Sequence, residues 1–349
     1  MTKVFVGMSG GVDSSVTAAL LVEQGYEVVG VYMKNWAEDL PGMQCPWADD
    51  VADAKRVAVG LGIDFRVFDF QQEYKQRVVD AMVAEYRAGR TPNPDVMCNQ
   101  EIKFNLFLET ALDQGADMVA TGHYAKTSGG KLFVPADKDK DQTYFLYRIK
   151  SSALEKTLFP LGDMTKQQVR QYAKDKNLWT ASKKESMGIC FVGQVGIKEF
   201  LGQYLDLIPG DVVDQDTGQI IGRHDSALIY TIGQRHGLHI GGGLPYYVVG
   251  KDVEKNIVYV SQNLNNTAMW RDEFSLTDLH WIGDAPSPSD SLMVRIRHRG
   301  DLLEVVSAQF GLGDARIKLS GAERAITTGQ SAVVYRGGET LGGGIIKTD

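Results

Sequence analysis

An α/β fold, with a parallel sheet doubly wound by helices and followed by β-rich units, is the class that three observations predict for this 349-residue chain. Short apolar runs alternate with helical stretches through residue 122, which is the pattern of βαβ crossovers. A glycine-rich turn stands between the first run and the first helix, where such sheets hold anions. From Gly210 onward the texture changes to short β-type runs separated by Gly, Asn, Asp and Pro, with few helical stretches.

The elements follow in order. Val4-Phe5-Val6-Gly7-Met8 reads as a short buried strand and residues 16–22 as the helix after the turn. Residues 28–33 and 65–70 are further strands, with helices expected over 50–61 and 74–86. A later unit pairs a helix over 102–114 with a strand over 118–122. Gly7, Met33 and Gly122 fall at or beside strand carboxyl ends, where a doubly wound sheet places its ligand. In the second half, 246–250 and 257–260 read as strands and 284–290 as a loop.

Composition bounds the rest. At 349 residues the chain exceeds one ordinary core, so two or three domains are expected. Hydrophobic content of 43% and charged content of 23% are those of an ordinary soluble globular protein. No apolar run approaches the span of a bilayer, and Lys3 leads directly into the first strand without room for a signal peptide. A cytoplasmic protein with no membrane partner is expected. The net charge of −7 argues against indiscriminate nucleic-acid binding, but a local basic face would not show in that sum.

The turn Ser9-Gly10-Gly11-Val12-Asp13-Ser14-Ser15 reads as a phosphate cradle. Glycines allow a tight turn, and the start of a helix aims several N–H groups and the positive end of its dipole at one spot. The Gly-Lys-Ser/Thr ending of a Walker A loop is absent, so no lysine from this loop reaches the β and γ phosphates. The pattern S-G-G-x-D-S instead resembles the PP-loop of N-type ATP pyrophosphatases, which split ATP between its α and β phosphates.

Three cysteines in such a chain form no disulfide framework, so each is packing, ligand or reactive thiol. Cys98 follows Thr91-Pro92-Asn93-Pro94-Asp95, where two prolines fix an extended approach. It is expected just before a helix beginning near Glu101, a place that favours the thiolate. Cys190 ends a polar loop bearing Lys183 and Lys184, though a cysteine in Ile-Cys-Phe is also an ordinary core residue. Cys45, in Gln-Cys-Pro, has less to mark it. None stands in C-x-x-C spacing or near a histidine at a ligand offset, so no structural metal is expected.

Taken together, G-M-S-G-G-V-D-S-S (7–15), T-P-N-P-D-V-M-C-N (91–99), T-G-H-Y (121–124), K-D-Q-T-Y-F-L (140–146), S-M-G-I-C-F (186–191), G-Q-R-H-G-L (233–238) and L-G-G-G-I-I (341–346) resemble the tRNA-specific 2-thiouridylase family, MnmA. The motifs span nearly the whole chain in the family's order. The resemblance implies a PP-loop ATPase domain over 1–202, a small central β-rich domain over 203–270 and a C-terminal tRNA-binding β-barrel over 271–349. It implies ATP-dependent replacement of the 2-oxygen of the wobble uridine by sulfur, in tRNAs for Lys, Glu and Gln. ATP with Mg²⁺ would serve as cofactor, with tRNA and a sulfur-donor protein, either a cysteine desulfurase or a relay carrier, as partners.

The same resemblance assigns residues. Gly7, Met8, Ser9, Gly10, Gly11, Val12, Asp13, Ser14, Met33 and Gly122 would hold the nucleotide. Cys190 would carry a persulfide, and Cys98 would resolve it by forming a disulfide with Cys190 or activate its sulfur. Asp95 would act as acid or base, although Asp after Pro also forms turns. Asn93, Pro94 and Asp95 would take the extruded target base, and His123, Lys140, Asp141, Gln142, Arg297, His298 and Gln330 would touch tRNA.

Arg295, Arg297 and Arg299 alternate at period two, which puts all three on one face of a strand, suited either to phosphates or to a charged solvent edge. His298 stands where the family commonly has an aromatic residue. An amidotransferase of the same ATP-splitting class would need an ammonia source in place of Cys98 and Cys190. A tRNA-binding protein without catalysis would not need both serines and Asp13 in the turn.

Overall fold

The computed structural model describes residues 1–39, 45, 47–184, 196–238, 240, 241, 244–263, 269–287 and 289–347. The chain begins with β1 (Lys3–Gly7), α1 (Val12–Glu23), β2 (Glu27–Lys34), α2 (Trp47–Leu61) and β3 (Asp64–Asp69). A first long helical run joins α3 (Gln71–Tyr74), a π-type turn at Lys75–Val79 and α4 (Asp80–Arg87). A second joins α5 (Pro94–Met97), a π-type segment at Cys98–Leu106 and α6 (Phe107–Asp113), and leads to β4 (Met118–Thr121). A hairpin, β5 (Lys126–Ser128) and β6 (Lys131–Phe133), precedes α7 (Ser151–Leu154), β7 (Thr157–Leu158), α8 (Lys166–Asp175) and α9 (Ile197–Leu201).

Five of these strands form a parallel sheet in the order β3-β2-β1-β4-β7. The chain winds outward from β1 to β3 and then crosses back to β4, so the order reverses between β1 and β4. A crevice opens at such a point, outside the strand carboxyl ends. Alternating side chains of β1 bury on opposite faces: Val4 and Val6 pack with Ala18, Leu21 and Ala54 of α1 and α2, while Phe5 packs with Tyr74, Met82 and Phe107 of the other helices. Both faces are covered, which is why the strands read as continuous apolar runs.

The β-rich half forms two sheets. β8 (Gly210–Asp214), β9 (Ile220–His224), β10 (Tyr247–Asp252) and β11 (Ile257–Ser261) make a small sheet around Val212, Tyr230, Val248 and Val258. The last six strands are β12 (Trp270–Trp281), β13 (Met293–Arg295), β14 (Leu303–Phe310), β15 (Asp314–Arg324), β16 (Ser331–Arg336) and β17 (Glu339–Lys347). They run in the order β12-β15-β14-β13-β16-β17, and pairing of β12 with β17 closes a six-stranded barrel. No helix among the described residues is long and apolar enough to cross a membrane.

The first unit and the barrel share a sheet. β6 adds to β17, with Glu339 opposite Phe133 and Thr340 opposite Leu132. Beside this ladder, Arg295 Nη1 lies 2.8 Å from Asp141 Oδ2, with side chains only 12% and 4% exposed. The other carboxylate oxygen of Asp141 accepts from the amide and hydroxyl of Thr143 at 2.9 and 2.6 Å. The Tyr144 hydroxyl donates to the Ser331 carbonyl at 2.9 Å.

A buried pair of this kind costs most when one partner is removed, because the other charge is stranded. Arg295→Met should therefore lower unfolding stability by about 3 kcal/mol in denaturant titrations. The same change made on Asp141→Asn should cost clearly less, and equal losses in the two backgrounds would show that the charge pairing contributes little.

Candidate active site

The phosphate loop has the geometry of an anion cradle. β1 ends at Gly7 and α1 begins at Val12, with Gly11 as an N-cap that has no side chain to accept from the helix amides. The first-turn amides of α1 therefore have no capping side chain and face the crevice with the helix dipole behind them. Gly10 has φ +73°, and a Cβ there would lie 2.5 Å from the Asp50 carbonyl oxygen, so no other residue fits. The hydroxyls brace the loop: Ser14 Oγ donates to the Gly11 carbonyl at 3.1 Å and accepts from the Ser9 amide at 3.2 Å. Ser15 Oγ also donates to the Gly11 carbonyl, at 2.9 Å.

A cleft of about 240 Å³ opens above this loop, lined by Ser9, Gly11, Val12 and Asp13 on one side and by Tyr124, Gln142 and Lys166 on another. Lys166 Nζ donates to both Asp13 oxygens at 2.8 Å, and the Tyr124 hydroxyl to Oδ1 at 2.9 Å. Lys140 and Lys184 add positive charge to the same walls. Gly122 abuts the loop backbone, since a Cβ on it would lie 2.8 Å from the Asp13 carbonyl carbon and the Ser14 amide nitrogen. Met33 reaches across beside Gly7, where a Cβ would meet Met33 Cε at 2.9 Å. Met8 and Val12 turn their side chains into the apolar cores on either side of the loop, so only their backbone is offered to a ligand.

The segment bearing Asp95 and Cys98 is helical from Pro94, with Pro94 at the first position and Asn93 as N-cap. This corrects the expected helix start near Glu101: Cys98 sits past the first turn, buried at 5% exposure, and the helix-terminus argument for its thiolate does not apply. Burial pushes the Asp95 carboxyl above its ordinary range, with Lys103 pulling the other way. Lys103 Nζ also lies 3.4 Å from His123 Nε2, and His123 Nδ1 lies 2.7 Å from Thr121 Oγ1. An ammonium only donates, so Nε2 accepts and the ring proton belongs on Nδ1, donating to Thr121. His123 is buried against Phe104 and Phe159, and desolvation, reinforced by Lys103, drops its pKa well below the ordinary imidazole range.

Cys190 lies outside the described residues. On the near side of it, Lys183 is fixed to Asp50 at 2.8 Å and to Asp53 at 2.7 Å. On the far side, Phe200 of α9 packs edge-on against Trp36 with ring centroids 5.9 Å apart. Cys45 is half-buried, and burial raises its thiol pKa.

Comparison with known proteins now decides the family. Residues 2–194 match the family described as tRNA methyl transferase HUP domain, 198–262 the tRNA methyl transferase PRC-barrel domain and 271–346 the Aminomethyltransferase beta-barrel domain. The tRNA-specific 2-thiouridylase MnmA of Bacillus subtilis (strain 168) is 47% identical over 352 residues, covering 99% of this chain and 95% of the relative. That of Methylobacillus flagellatus is 45% identical over 354 residues, covering 99% of this chain and 98% of the relative. The chain belongs to the tRNA-specific 2-thiouridylase family.

The residues that resemblance to the 2-thiouridylases assigned to tRNA occupy different environments. Lys140 and His298 line the cleft, with His298 stacked on Phe145 at 4.4 Å between centroids. Gln142 accepts from the Tyr124 amide at 2.9 Å, and Asp141 is held by Arg295. Gln330 Nε2 donates to the Thr91 carbonyl at 2.7 Å, just ahead of Asn93. The arginine stripe needs correction. β13 ends at Arg295, so Arg297 and Arg299 do not continue its face, and Arg299 has φ +59°. Arg295 turns to Asp141 and Arg297 to Glu323 at 2.7 Å.

Sequence reasoning missed Lys166, Tyr124 and Lys103. Tyr124 and Lys103 lie inside stretches already singled out, but Lys166 is 153 residues from Asp13 with no motif around it.

Two outcomes follow from this geometry. Gly122→Ala should displace the phosphate loop and sharply reduce AMP formation while the fold, followed by circular dichroism, persists. As the pH falls below about 6.5 the unfolded chain protonates its histidines while folded His123 stays neutral, so stability falls. His123→Gln should flatten that acid limb by up to about 1.4 kcal/mol per pH unit, read from denaturant titrations between pH 7 and 5. An unchanged slope would mean that His123 takes up protons in the folded chain as it does in the unfolded one.

Proposed function

We propose that this protein transfers sulfur to C2 of the wobble uridine in tRNA, expected for Lys, Glu and Gln tRNAs, at the cost of ATP cleaved to AMP and pyrophosphate. The observation that supports the reading is a run of neighbours: Gly122 lies against Asp13 and Ser14 of the loop, His123 beside it lies 3.4 Å from Lys103, and Lys103 acts electrostatically on Asp95, which shares a helical run with Cys98. On this reading the loop would serve phosphate chemistry and Cys98 the thiol chemistry.

The uridine O2 is a poor leaving group and C2 a poor electrophile. Attack of O2 on the α-phosphorus forms the O–P bond and releases pyrophosphate, for which the uncapped amides of α1 and the cations of the cleft are suited. Mg²⁺ would arrive on the ATP phosphates and offset their charge; among the described residues no cluster of His, Cys, Asp or Glu forms a metal site, and the Asp13 carboxylate lining the cleft is held by Lys166 and Tyr124. The terminal sulfur of a persulfide on Cys190 then attacks C2 and AMP departs. Cys98 thiolate attacks the Cys190 sulfur, leaving a Cys98–Cys190 disulfide and the thiocarbonyl; if Cys98 instead frees the sulfur before attack, the same disulfide results. An external thiol restores the pair, and a cysteine desulfurase or relay protein reloads Cys190. Asp95, its carboxyl raised by burial, handles protons at the base, which must leave the anticodon stack to reach the thiols.

Methyl transfer, which two of the matching domain descriptions name, gives the cradle no task, because a sulfonium methyl donor carries no phosphate. Cys98→Ser and Cys190→Ser should each abolish 2-thiouridine, measured by mass analysis of digested tRNA, while AMP still forms. Cys45→Ser should retain activity, and Asp13→Ala should lose AMP formation. Thiolation by Cys190→Ser with a persulfide donor would remove Cys190 from the mechanism.

A further inference from the structure

The cleft over the phosphate loop is not closed by the first unit alone. Its far wall is His298 and Arg299 of the barrel, facing Ser9, Gly11 and Asp13. Arg299 holds the left-handed backbone conformation at φ +59°, which carries a steric cost for any residue with a Cβ. Arg299 itself is exposed, and the turn that holds this conformation is fixed through its neighbours. The Gly300 amide donates to the Arg297 carbonyl at 3.0 Å, and His298 is seated on Phe145. Its two companions in the run are committed, Arg295 to Asp141 and Arg297 to Glu323, whereas among the described residues Arg299 takes part in no ion pair or hydrogen bond. An arginine held in a strained turn at a cleft lined by further cations, and with no ion pair to a carboxylate among the described residues, is placed to receive an anion.

We infer that Arg299 binds a phosphate of ATP, so that the barrel supplies the last cation of the adenylation site. This rests on the reading that the loop binds ATP. The structural consequence is that the nucleotide site is complete only when the barrel is seated, which couples the tRNA-facing part of the molecule to ATP cleavage. A backbone phosphate of tRNA has the same chemistry and is the alternative source that the test must separate.

The full-length protein is compared with Arg299→Ala, Arg299→Lys and Arg299→Gly. AMP formation is followed against ATP concentration at saturating tRNA. The affinity for tRNA and its salt dependence are measured separately without ATP, and each variant is melted. Arg299→Ala should lower kcat/KM for ATP about tenfold or more, with tRNA affinity and salt slope unchanged, and Arg299→Lys should recover part of the loss. Arg299→Gly relieves the backbone, so it should melt no lower than the unaltered protein while losing AMP formation as Arg299→Ala does. A fall in tRNA affinity with a salt slope shallower by about one unit, and ATP parameters unchanged, would assign Arg299 to the tRNA backbone and overturn the inference. So would activity losses that merely track lowered melting temperatures. Absence of AMP formation by the unaltered protein with tRNA would instead sink the ATP reading beneath it.

Discussion

Thr91 is the point on which the arrangement of this molecule turns. Its carbonyl accepts from Gln330 of the barrel at 2.7 Å, and its hydroxyl lies 3.1 Å from that of Thr231 in the small β-rich unit. Three separately packed cores thus meet on one residue, which immediately precedes Pro92-Asn93-Pro94 and the helix carrying Asp95 and Cys98. Proline removes backbone freedom and backbone donors, so this stretch is positioned by outside contacts rather than by its own hydrogen bonds. The placement of the buried thiol is in that sense decided by all three units together.

The charge arrangement has a similar division of labour. The chain as a whole carries −7, yet the cleft gathers Lys140, Lys166, Lys184 and Arg299 around Asp13, the one carboxylate among the described residues that line it. A net negative chain with a cationic recess discourages indiscriminate polyanion binding while focusing positive potential in the cleft. The Lys166–Asp13 pair keeps the carboxylate compensated within that field.

Much of this was legible in the sequence, and the failures have physical reasons. The strands ending at Gly7 and Thr121 were readable because both faces of a parallel sheet are buried, which writes them as apolar runs beside glycine. The cradle was readable because a helix start after Gly-Gly needs little tertiary context. The helix start at Pro94 was not, since Pro-Asn-Pro reads equally as extended chain, and Val96 packs instead against Tyr144 of the first unit and Tyr335 of the barrel, contacts distant in sequence. The arginine stripe failed because period two describes side chains only while the strand lasts. Lys166 gave no signal, as its meaning comes from a carboxylate far away in the chain. Cys190, legible as a motif, lies beyond the described residues.

The β5–β6 hairpin shows what sharing a sheet implies for dissection of the molecule. β17 is paired along Gly342–Lys347 by β12, but its first residues, Glu339 and Thr340, are completed by β6 from the first unit. Cutting the barrel free would leave that stretch of β17 as an open strand edge, with backbone donors and acceptors looking for another chain. The barrel is closed as a sheet yet unfinished as an independent body, and an excised fragment would carry a built-in template for self-association.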